Sequence, residues 1–500
     1  MSKLKRLFYL LFGFIFIYIT VNILFREVST IFDINSLIIL PIGIIVLIVW
    51  YIIWKYLLSK FELLDIKIQY SLVFLLFLII IIFEILVIKW FEIPFGWDFG
   101  YIVQQSADYV HTHLLPINSS IPYYFQHFPN NVFLYVFMIT MFKFADFFGI
   151  SNLYFFSELI NAFVIFMTIF LTYLYIKKTK SLKYAFFSLI VFLFFLPVFL
   201  YIPILYSDTL ALIFIPLLLY ISTFFQDKKS IKKILSYIFF CLFTFIGCKI
   251  KMTVLFISLG IAVGIFFNKK YLKSVFIVSI VFISYFCLSF TFDSLFIKND
   301  RFRIKYDDYG KIPYTHWIMM GIDDPSVEQR KNSYGGYSGE DYIFTESFSN
   351  SNEAKNANII EIKSRIKSYG TIGYLNYLTN KAVNCWGDGT YYVPVKIQWA
   401  NKYNMDSNLR FITGNSDSHT MFYFMSGVQY AFLLILCLTF IRHLILNRDE
   451  SLCFLASISM LMLFLLFWEN RSRYLLHYVS LFVIIVVYNI NDLLRFKDKE

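Results

Sequence analysis

Long uninterrupted apolar runs are the feature that most constrains this sequence. Residues 70–90 and 274–293 are each long enough to cross a hydrocarbon core about 30 Å thick. The runs are continuous and do not alternate with polar residues, so they predict helices and not the strands of a barrel. Of the 500 residues, 59% are apolar and 15% are charged, which excludes an ordinary soluble protein. We therefore predict an all-α polytopic membrane protein.

The positive charge of the chain is better explained by membrane lipid than by nucleic acid. The formal net charge is +11, but lysine and arginine lie at the ends of the apolar runs and do not form one patch. Short basic loops at residues 177–183, 226–233 and 268–273 are typical of cytoplasmic anchors. No nucleic-acid motif is present, so no nucleic-acid partner is expected.

About twelve transmembrane helices are predicted when the basic N-terminus is placed in the cytoplasm. They cover residues 7–25, 36–54, 70–90, 153–176, 184–205, 209–225, 234–248, 252–267, 274–293, 421–441, 451–468 and 475–492. In this scheme every basic loop and both termini are cytoplasmic. The predicted location is therefore the plasma membrane, with multiple crossings.

One apolar stretch, residues 131–149, is interrupted by Lys143 and Asp146. We predict that it forms a helix on the outer surface. A true crossing is the alternative, but it would move the basic loop at residues 177–183 to the outside.

Four regions follow from this topology. Residues 1–60 supply two N-terminal helices, residues 61–293 form a transmembrane core, residues 294–420 form a mixed extracellular cap, and residues 421–500 supply the C-terminal helices. The core contains a long outer loop at residues 91–152. Because all inward loops are short, the outer face is the predicted working face.

Charged residues at the outer ends of the spans are the candidate functional groups, because a charge near a bilayer is costly unless it is paired or hydrated. They are Asp98, Asp108 and His111 in the first outer loop, Asp208 in a very short turn, Lys249 and Lys251 in a hairpin, and Glu469, Arg471 and Arg473 in the last hairpin. Structural alternatives exist: helix capping for Asp98, turn formation for Asp208, snorkelling for the lysines and an ion pair for the arginines.

A carboxylate beside several cations at this depth suits a lipid-linked phosphate donor. The cations would stabilise the charge on the leaving phosphate, and Asp98 would act as general base toward an acceptor hydroxyl. No cofactor is needed, since the phosphate leaving group already carries charge. A divalent metal bound by His111, His113 and His127 is the weaker alternative, because no acidic cluster accompanies them.

Several short motifs in order along the chain resemble the GT-C superfamily of glycosyltransferases. They are WDFG with Asp98, YYFQHFPNN with His127, Asn130 and Asn131, YSDTLA with Asp208, the lysine hairpin, and RSRYL with Tyr474. The likeness is greatest to family 39-like integral membrane enzymes of Gram-positive bacteria, with protein O-mannosyltransferases and aminoarabinose transferases more distant. It covers most of the chain from about residue 70 onward.

The resemblance implies a GT-C-like helical bundle and a polyprenyl-phosphate sugar donor. It implies Asp98 as catalytic base, Asp208 as a second acid, and Lys251 as a ligand of the donor phosphate. Lys249, Arg471 and Arg473 are further candidates for phosphate binding. Supporting or acceptor-binding candidates are Asp108, His111, His127, Asn130, Asn131, Glu469 and Tyr474.

Two points stay open from the sequence. In related proteins the catalytic Asp is followed by Glu, whereas Phe99 follows Asp98 here, so Asp108 or Asp208 could share the role. The acceptor could be a cell-envelope glycan, a teichoic-type polymer or a protein. The alternative functions are a transporter or flippase of lipid-linked sugars, and an outer-face ligase or polymerase of polysaccharides.

Overall fold

Helices form all the regular secondary structure in the described part of the chain. The structure is a computed structural model that describes residues 3–29, 34–91, 97–112, 124–125, 127–227, 229–297, 311–327, 333–400 and 419–492. Helices α1 to α7 are Lys3–Asn22, Ser36–Ile52, Leu58–Leu63, Ile66–Trp90, Trp97–Thr112, Val132–Phe147 and Leu153–Thr179. Helices α8 to α14 are Leu182–Phe194, Leu196–Leu200, Ser207–Leu210, Phe214–Ser222, Ser230–Ile250, Leu255–Phe267 and Tyr271–Phe292. Helices α15 to α21 are Thr315–Met320, Gly339–Glu346, Ser351–Gly387, Val393–Ala400, His419–Leu446, Leu452–Phe467 and Val479–Asn489.

The predicted polytopic architecture is confirmed. Among the described residues, eight helical stretches are long and apolar enough to cross a membrane, and four shorter apolar helices accompany them. These are Lys3–Asn22, Ser36–Leu63, Ile66–Trp90, Leu153–Thr179, Ser230–Ile250, Tyr271–Phe296, Thr420–Leu446 and Ser472–Asn489, and the shorter Leu182–Phe194, Ser207–Ser222, Met252–Phe267 and Leu452–Phe467. Each coincides with one of the twelve predicted spans. Helix α6, of 16 residues, packs along α5, and its placement on the outer surface stays a prediction.

Polar caps mark where several of these helices begin. The Asp65 carboxylate accepts a hydrogen bond from the backbone N–H of Lys67 before α4, and the Asn152 side chain accepts one from Phe155 before α7. Such caps satisfy backbone donors that have no partner within the helix. The apolar runs therefore begin at defined residues.

The last helix lies at the centre of the bundle. Helix α21 is buried along almost its whole length and contacts α7, α8, α11 and α19. Close packing elsewhere depends on small residues: a Cβ at Gly260 of α13 would lie 2.6 Å from the carbonyl oxygen of Cys453. Small residues at helix interfaces are typical of membrane bundles.

The basic loops meet at one end of the bundle. Lys5 near the start of the chain forms an ion pair with Asp449, and Lys180 Nζ lies 2.6 Å from Glu450 Oε2. Loops that are far apart in sequence thus lie together, as expected if they face one compartment. Helix α20 begins beside Asp449 and Glu450, and the turn at its opposite end contributes Glu469, Arg471 and Arg473 to the cavity described below.

The described part of the cap is helical. Buried Arg365 of α17 holds it together: Nη2 donates to Asp341 at 2.6 Å and Nη1 donates to the Ile322 carbonyl oxygen at 2.8 Å. Sequence alone suggests turns or a loop around the segment SYGGYSGEDY, but its second half begins α16, capped by Ser338. Gly370, with φ of +62°, divides α17 at a kink, which glycine permits without a Cβ clash.

Candidate active site

A cavity of about 780 Å³ lies between the helix ends and the cap. Its volume is typical of a small-molecule site. Its walls come from the start of α5, the segment before α6 with the first turn of that helix, the turn before α10, two parts of the cap at residues 316–342 and 392–396, and the turn after α20. The lining residues are Phe99, Tyr101, Ile102, Tyr124, Phe128, Asn130, Asn131, Leu134, Tyr206, Ser207, His316, Trp317, Met320, Tyr337, Tyr342, Tyr392, Val395, Lys396, Glu469, Arg471, Arg473 and Tyr474.

Asp208 lies behind this cavity and binds two cations. Its side chain is fully buried; one carboxylate oxygen accepts from Lys251 Nζ, and the other accepts from Arg473 Nη1 at 3.4 Å. The lysine and arginine side chains are each 14% exposed. A buried charge needs this kind of pairing. The carboxylate therefore holds the two cations in place, a role that turn formation alone does not require.

The end of α12 decides which lysine reaches Asp208. The helix ends at Ile250, and Lys251 adopts an extended conformation with φ −151° and ψ 112°, which directs its side chain away from the helical spiral. Lys249 is still helical and lies elsewhere, with Nζ 3.9 Å from Asp293 and 5.5 Å from the Phe292 ring centre. Of the two predicted phosphate ligands in this hairpin, the structure brings only Lys251 to the site.

Two arginines after α20 face the cavity over aromatic rings. The Arg473 guanidinium carbon lies 4.6 Å from the Tyr206 ring centre, and that of Arg471 lies 5.1 Å from the Tyr392 ring centre. Stacking on a ring fixes the guanidinium plane while its N–H groups stay available. Arg471 makes no ion pair with any described residue. A Cβ at Gly336 would lie 2.3 Å from its guanidinium carbon, so the missing side chain there leaves room for this arginine.

Lys396 of α18 is a cavity cation that the sequence interpretation missed. It lines the cavity, with Nζ 5.4 Å from the Tyr206 ring centre. It could have been found as a lysine in an outward, aromatic-rich segment, where membrane anchoring does not explain a cation. With it, the described lining carries three cations and only Glu469 as a carboxylate, which favours an anionic ligand.

The backbone under Arg471 is strained. Tyr391 and Tyr392 both adopt left-handed conformations, with φ of +51° and +65°, which bulky residues rarely do. Hydrogen bonds hold the segment: Tyr201 Oη donates to the Tyr391 carbonyl oxygen at 2.7 Å, and Tyr391 Oη donates to Gln429 Oε1 at 2.6 Å. Strain of this kind clusters at functional sites, and here it places the Tyr392 ring beneath the arginine.

A second part of the cavity is aromatic. We call it the aromatic wall, and it consists of Tyr101, Tyr124, Phe128, Trp317, Tyr337 and Tyr342. Four of the rings form a chain of contacts: Tyr101 and Tyr124 stack at 5.7 Å and 23°, Tyr124 and Phe128 lie 5.2 Å apart, and Phe128 and Tyr342 stack at 6.2 Å and 23°. Helix α5, the segment before α6 and the cap are thus joined at this surface.

Two histidines hold this wall from behind and beside it. His127 Nδ1 lies 3.0 Å from Tyr342 Oη, and His316 Nδ1 lies 2.8 Å from Thr345 Oγ1. Burial lowers the pKa of His316 to about 4 and also lowers the pKa of His127. Both rings are therefore neutral near pH 7, and they add no charge to the wall.

Asn130 and Asn131 are predicted site residues that do line the cavity. Asn131 Nδ2 donates to Tyr124 Oη at 2.7 Å, and Asn130 Nδ2 donates to Asn131 Oδ1 at 3.0 Å. Glu469 and Tyr474 also line it. The structure therefore brings these four predicted residues to one cavity.

Only some residues of the first outer loop lie at the cavity. The loop contains helix α5, and Asp98 is its second residue; the Asp98 side chain lies outside the described part of the structure. The next residue, Phe99, lines the cavity and packs against Tyr206 with 5.6 Å between ring centres. Asp108 and His111 are exposed on α5 and do not line the cavity.

The described residues contain no group of three or more histidine, cysteine or acidic side chains placed to hold a metal. The described cavity lining instead suits a ligand with an anionic group beside Arg471, Arg473 and Lys396 and an uncharged group at the aromatic wall.

Comparison with known proteins identifies one protein family. A family model described as conserved hypothetical integral membrane protein matches residues 1–493. No curated protein matches the chain, and no solved structure matches it.

Proposed function

The chain belongs to this family of conserved hypothetical integral membrane proteins, and we propose that it is a glycosyltransferase of the GT-C type. It transfers one sugar from a polyprenyl phosphate to a cell-envelope acceptor. Its cavity faces the outside of the cell, and the basic ends of the helices and both termini face the cytoplasm. This orientation follows from the positive-inside rule.

The observation that carries the proposal is the cation cluster at the helix ends. Lys396, Arg471 and Arg473 line the cavity, and Lys251 is held beside them by Asp208. A lipid-linked phosphate has its head group at the membrane surface, where these helices end, and its chain among the lipids. Arginines bind phosphate through paired N–H donors. The donor phosphate therefore fits this part of the cavity.

In the proposed reaction, an acceptor hydroxyl oxygen attacks the anomeric carbon of the donor sugar. A new carbon–oxygen bond forms, the bond from that carbon to the phosphate oxygen breaks, and polyprenyl phosphate leaves with the electron pair. Asp98, at the start of α5, takes the hydroxyl proton. The arginines and lysines stabilise the charge that grows on the departing phosphate, so no further cofactor enters the reaction.

The first test is mass spectrometry of cell-envelope polymers and surface proteins from cells with and without this chain. A sugar that disappears with the chain and returns with the wild-type gene identifies the donor and the acceptor. Asp98→Asn should be inserted in the membrane normally but should not restore the sugar. Restoration by Asp98→Asn would reject the assignment of the base, and unchanged polymers and proteins would reject the transferase.

The second test concerns the donor phosphate. Lys251→Ala should raise the apparent Michaelis constant for the donor, because a cation is lost from the phosphate site. Lys249→Ala, two residues away and beside Asp293 instead of Asp208, is the matched control and should leave the constant unchanged. Equal constants for Lys251→Ala and the wild-type protein would remove this role.

Transport of a lipid-linked sugar is the second candidate. Glu84 favours it: the residue is 5% exposed within α4, and its Oε1 has no hydrogen-bond partner. Unpaired acids within spans often mark transport pathways. By contrast, the amide nitrogen of Asn161 in α7 has structural partners, since Nδ2 donates to the carbonyl oxygens of Tyr201 and Ile202. Movement of a labelled lipid-linked sugar across proteoliposomes, lost in Glu84→Gln, would favour this candidate.

A further inference from the structure

The cavity divides into two chemically different parts. The cations gather around Tyr206, Tyr392 and Tyr474. Among the described residues, the polar side chains that line the cavity around the aromatic wall are Asn130, Asn131 and His316, and none of them is charged near pH 7. A ligand that spans both parts carries its negative charge at one end and an uncharged, partly apolar surface at the other.

We propose that the aromatic wall binds the acceptor, and that the acceptor is a neutral glycan. This inference rests on the proposed transferase function and specifies its acceptor class. Teichoic-type polymers carry a phosphate in each unit, and a phosphate placed against the wall would lose its hydration, while no side chain of the wall supplies a cation. A sugar ring has no such cost.

The side chains of the wall match the two surfaces of a sugar. A pyranose ring presents C–H groups on its faces, which pack on aromatic rings, and hydroxyls at its edge. The Phe128 and Tyr342 rings offer a stacked surface, while the amides of Asn130 and Asn131 lie at the same cavity. Amide side chains both donate and accept hydrogen bonds, as a hydroxyl does.

The histidines keep this part of the cavity neutral. His127 bonds to Tyr342 Oη, and His316 packs at 5.6 Å from the Trp317 ring. Both histidines are buried, and burial lowers the pKa of each ring, so both are uncharged near pH 7. The wall thus attracts neither phosphate nor carboxylate. A cavity of about 780 Å³ takes the donor head group and a few sugar rings, which suits the end of a glycan chain.

Binding of three acceptor probes to the full-length protein in lipid nanodiscs tests the inference without any donor. The probes are a neutral hexose tetrasaccharide, a glycerol-phosphate tetramer and a serine-rich peptide, each followed by equilibrium dialysis. Tyr337→Ala and Phe128→Ala should weaken tetrasaccharide binding roughly three- to tenfold, as expected for one aromatic contact. Tyr314→Ala is the matched control: Tyr314 is 57% exposed and Tyr337 is 61% exposed, both belong to the cap, and only Tyr337 lines the cavity.

The tetrasaccharide should bind most tightly, and Tyr314→Ala should bind it as the wild-type protein does. Tighter binding of the glycerol-phosphate tetramer or the peptide overturns the inference. Equal tetrasaccharide binding by the wild-type protein and by both wall variants also overturns it, provided that their thermal unfolding midpoints are unchanged. Failure of the transferase is recognised separately: tetrasaccharide binding would persist while no sugar transfer from polyprenyl phosphate is detected. Sugar transfer onto a phosphate polymer would support the transferase and overturn the inference of a neutral acceptor.

Discussion

The ion cluster at Asp208 leads to a quantitative prediction about stability. The Asp208 side chain is fully buried, and the side chains of Lys251 and Arg473 are each only 14% exposed. Replacing Asp208 by Asn keeps the size of the side chain but leaves both cations without their carboxylate. Removing one partner from a buried ion pair costs about 3 to 5 kcal/mol of folding free energy. This is a large part of the roughly 5 to 15 kcal/mol that stabilises a typical domain.

A second variant separates lost charge pairing from a change of shape. In the double variant Asp208→Asn with Lys251→Met, one of the two unpaired cations is also removed. We expect the double variant to be more stable than Asp208→Asn alone, because only Arg473 then lacks a counter-charge. A destabilising second change would be expected if the two residues acted independently.

Thermal unfolding of the purified protein in nanodiscs, followed by intrinsic fluorescence, measures both effects. Addition of inorganic pyrophosphate should raise the midpoint of Asp208→Asn more than that of the wild-type protein, since an anion replaces the lost carboxylate. Asp208→Asn unfolding at the wild-type temperature would refute the charge argument. A double variant less stable than Asp208→Asn would refute it as well.

Three further predictions concern the cavity and the cap. Gly336→Ala should displace the Arg471 guanidinium and weaken polyprenyl phosphate binding, whereas Gly339→Ala, which has open space at its Cβ, should not. Equal affinities of the two variants for polyprenyl phosphate would contradict the predicted clash between the methyl group introduced at position 336 and Arg471. Burial lowers the pKa of His316 from 6.5 to about 4, so the unfolded chain binds more protons than the folded protein between these pH values. The stabilising contribution of neutral His316 is therefore lost as pH falls from 6.5 toward 4, and His316→Asn should reduce the dependence of the thermal unfolding midpoint on pH in this range. Burial lowers the pKa of Lys381 from 10.5 to about 7, so wild-type stability should rise with pH between 7 and 10.5, and Lys381→Met, measured over the same range, should lack that rise.

The proximity of several predicted polar residues followed from topology. Asp208, Lys251, Arg471 and Arg473 each lie at a helix end on the same side of the bundle, and the structure brings all four to or beside the cavity. Helix ends on one side of a membrane are close in depth, although they are far apart in the chain. The same reasoning could not separate Lys249 from its neighbour, because the difference depends on where α12 stops.

Other parts of the site had no signal of this kind. Lys396 lies in the cap, where no membrane boundary limits its position. The aromatic wall could not be recognised either, since 21% of all residues are aromatic and most of them pack in the core. Only the contact of the segment at Phe128 with cap residues such as Tyr342 selects a few rings from this large number.

The twelve apolar spans and the grouping of the basic loops were determined by the sequence itself. Burial in a bilayer depends on a window of about 20 residues, and charge at the window ends sets the side, so both are local properties. Which charges pair was decided by the tertiary structure alone. Asp208 meets a lysine 43 residues away and an arginine 265 residues away. Such a contact depends on how the helices pack and on the backbone direction at each helix end, and neither is encoded in a local window.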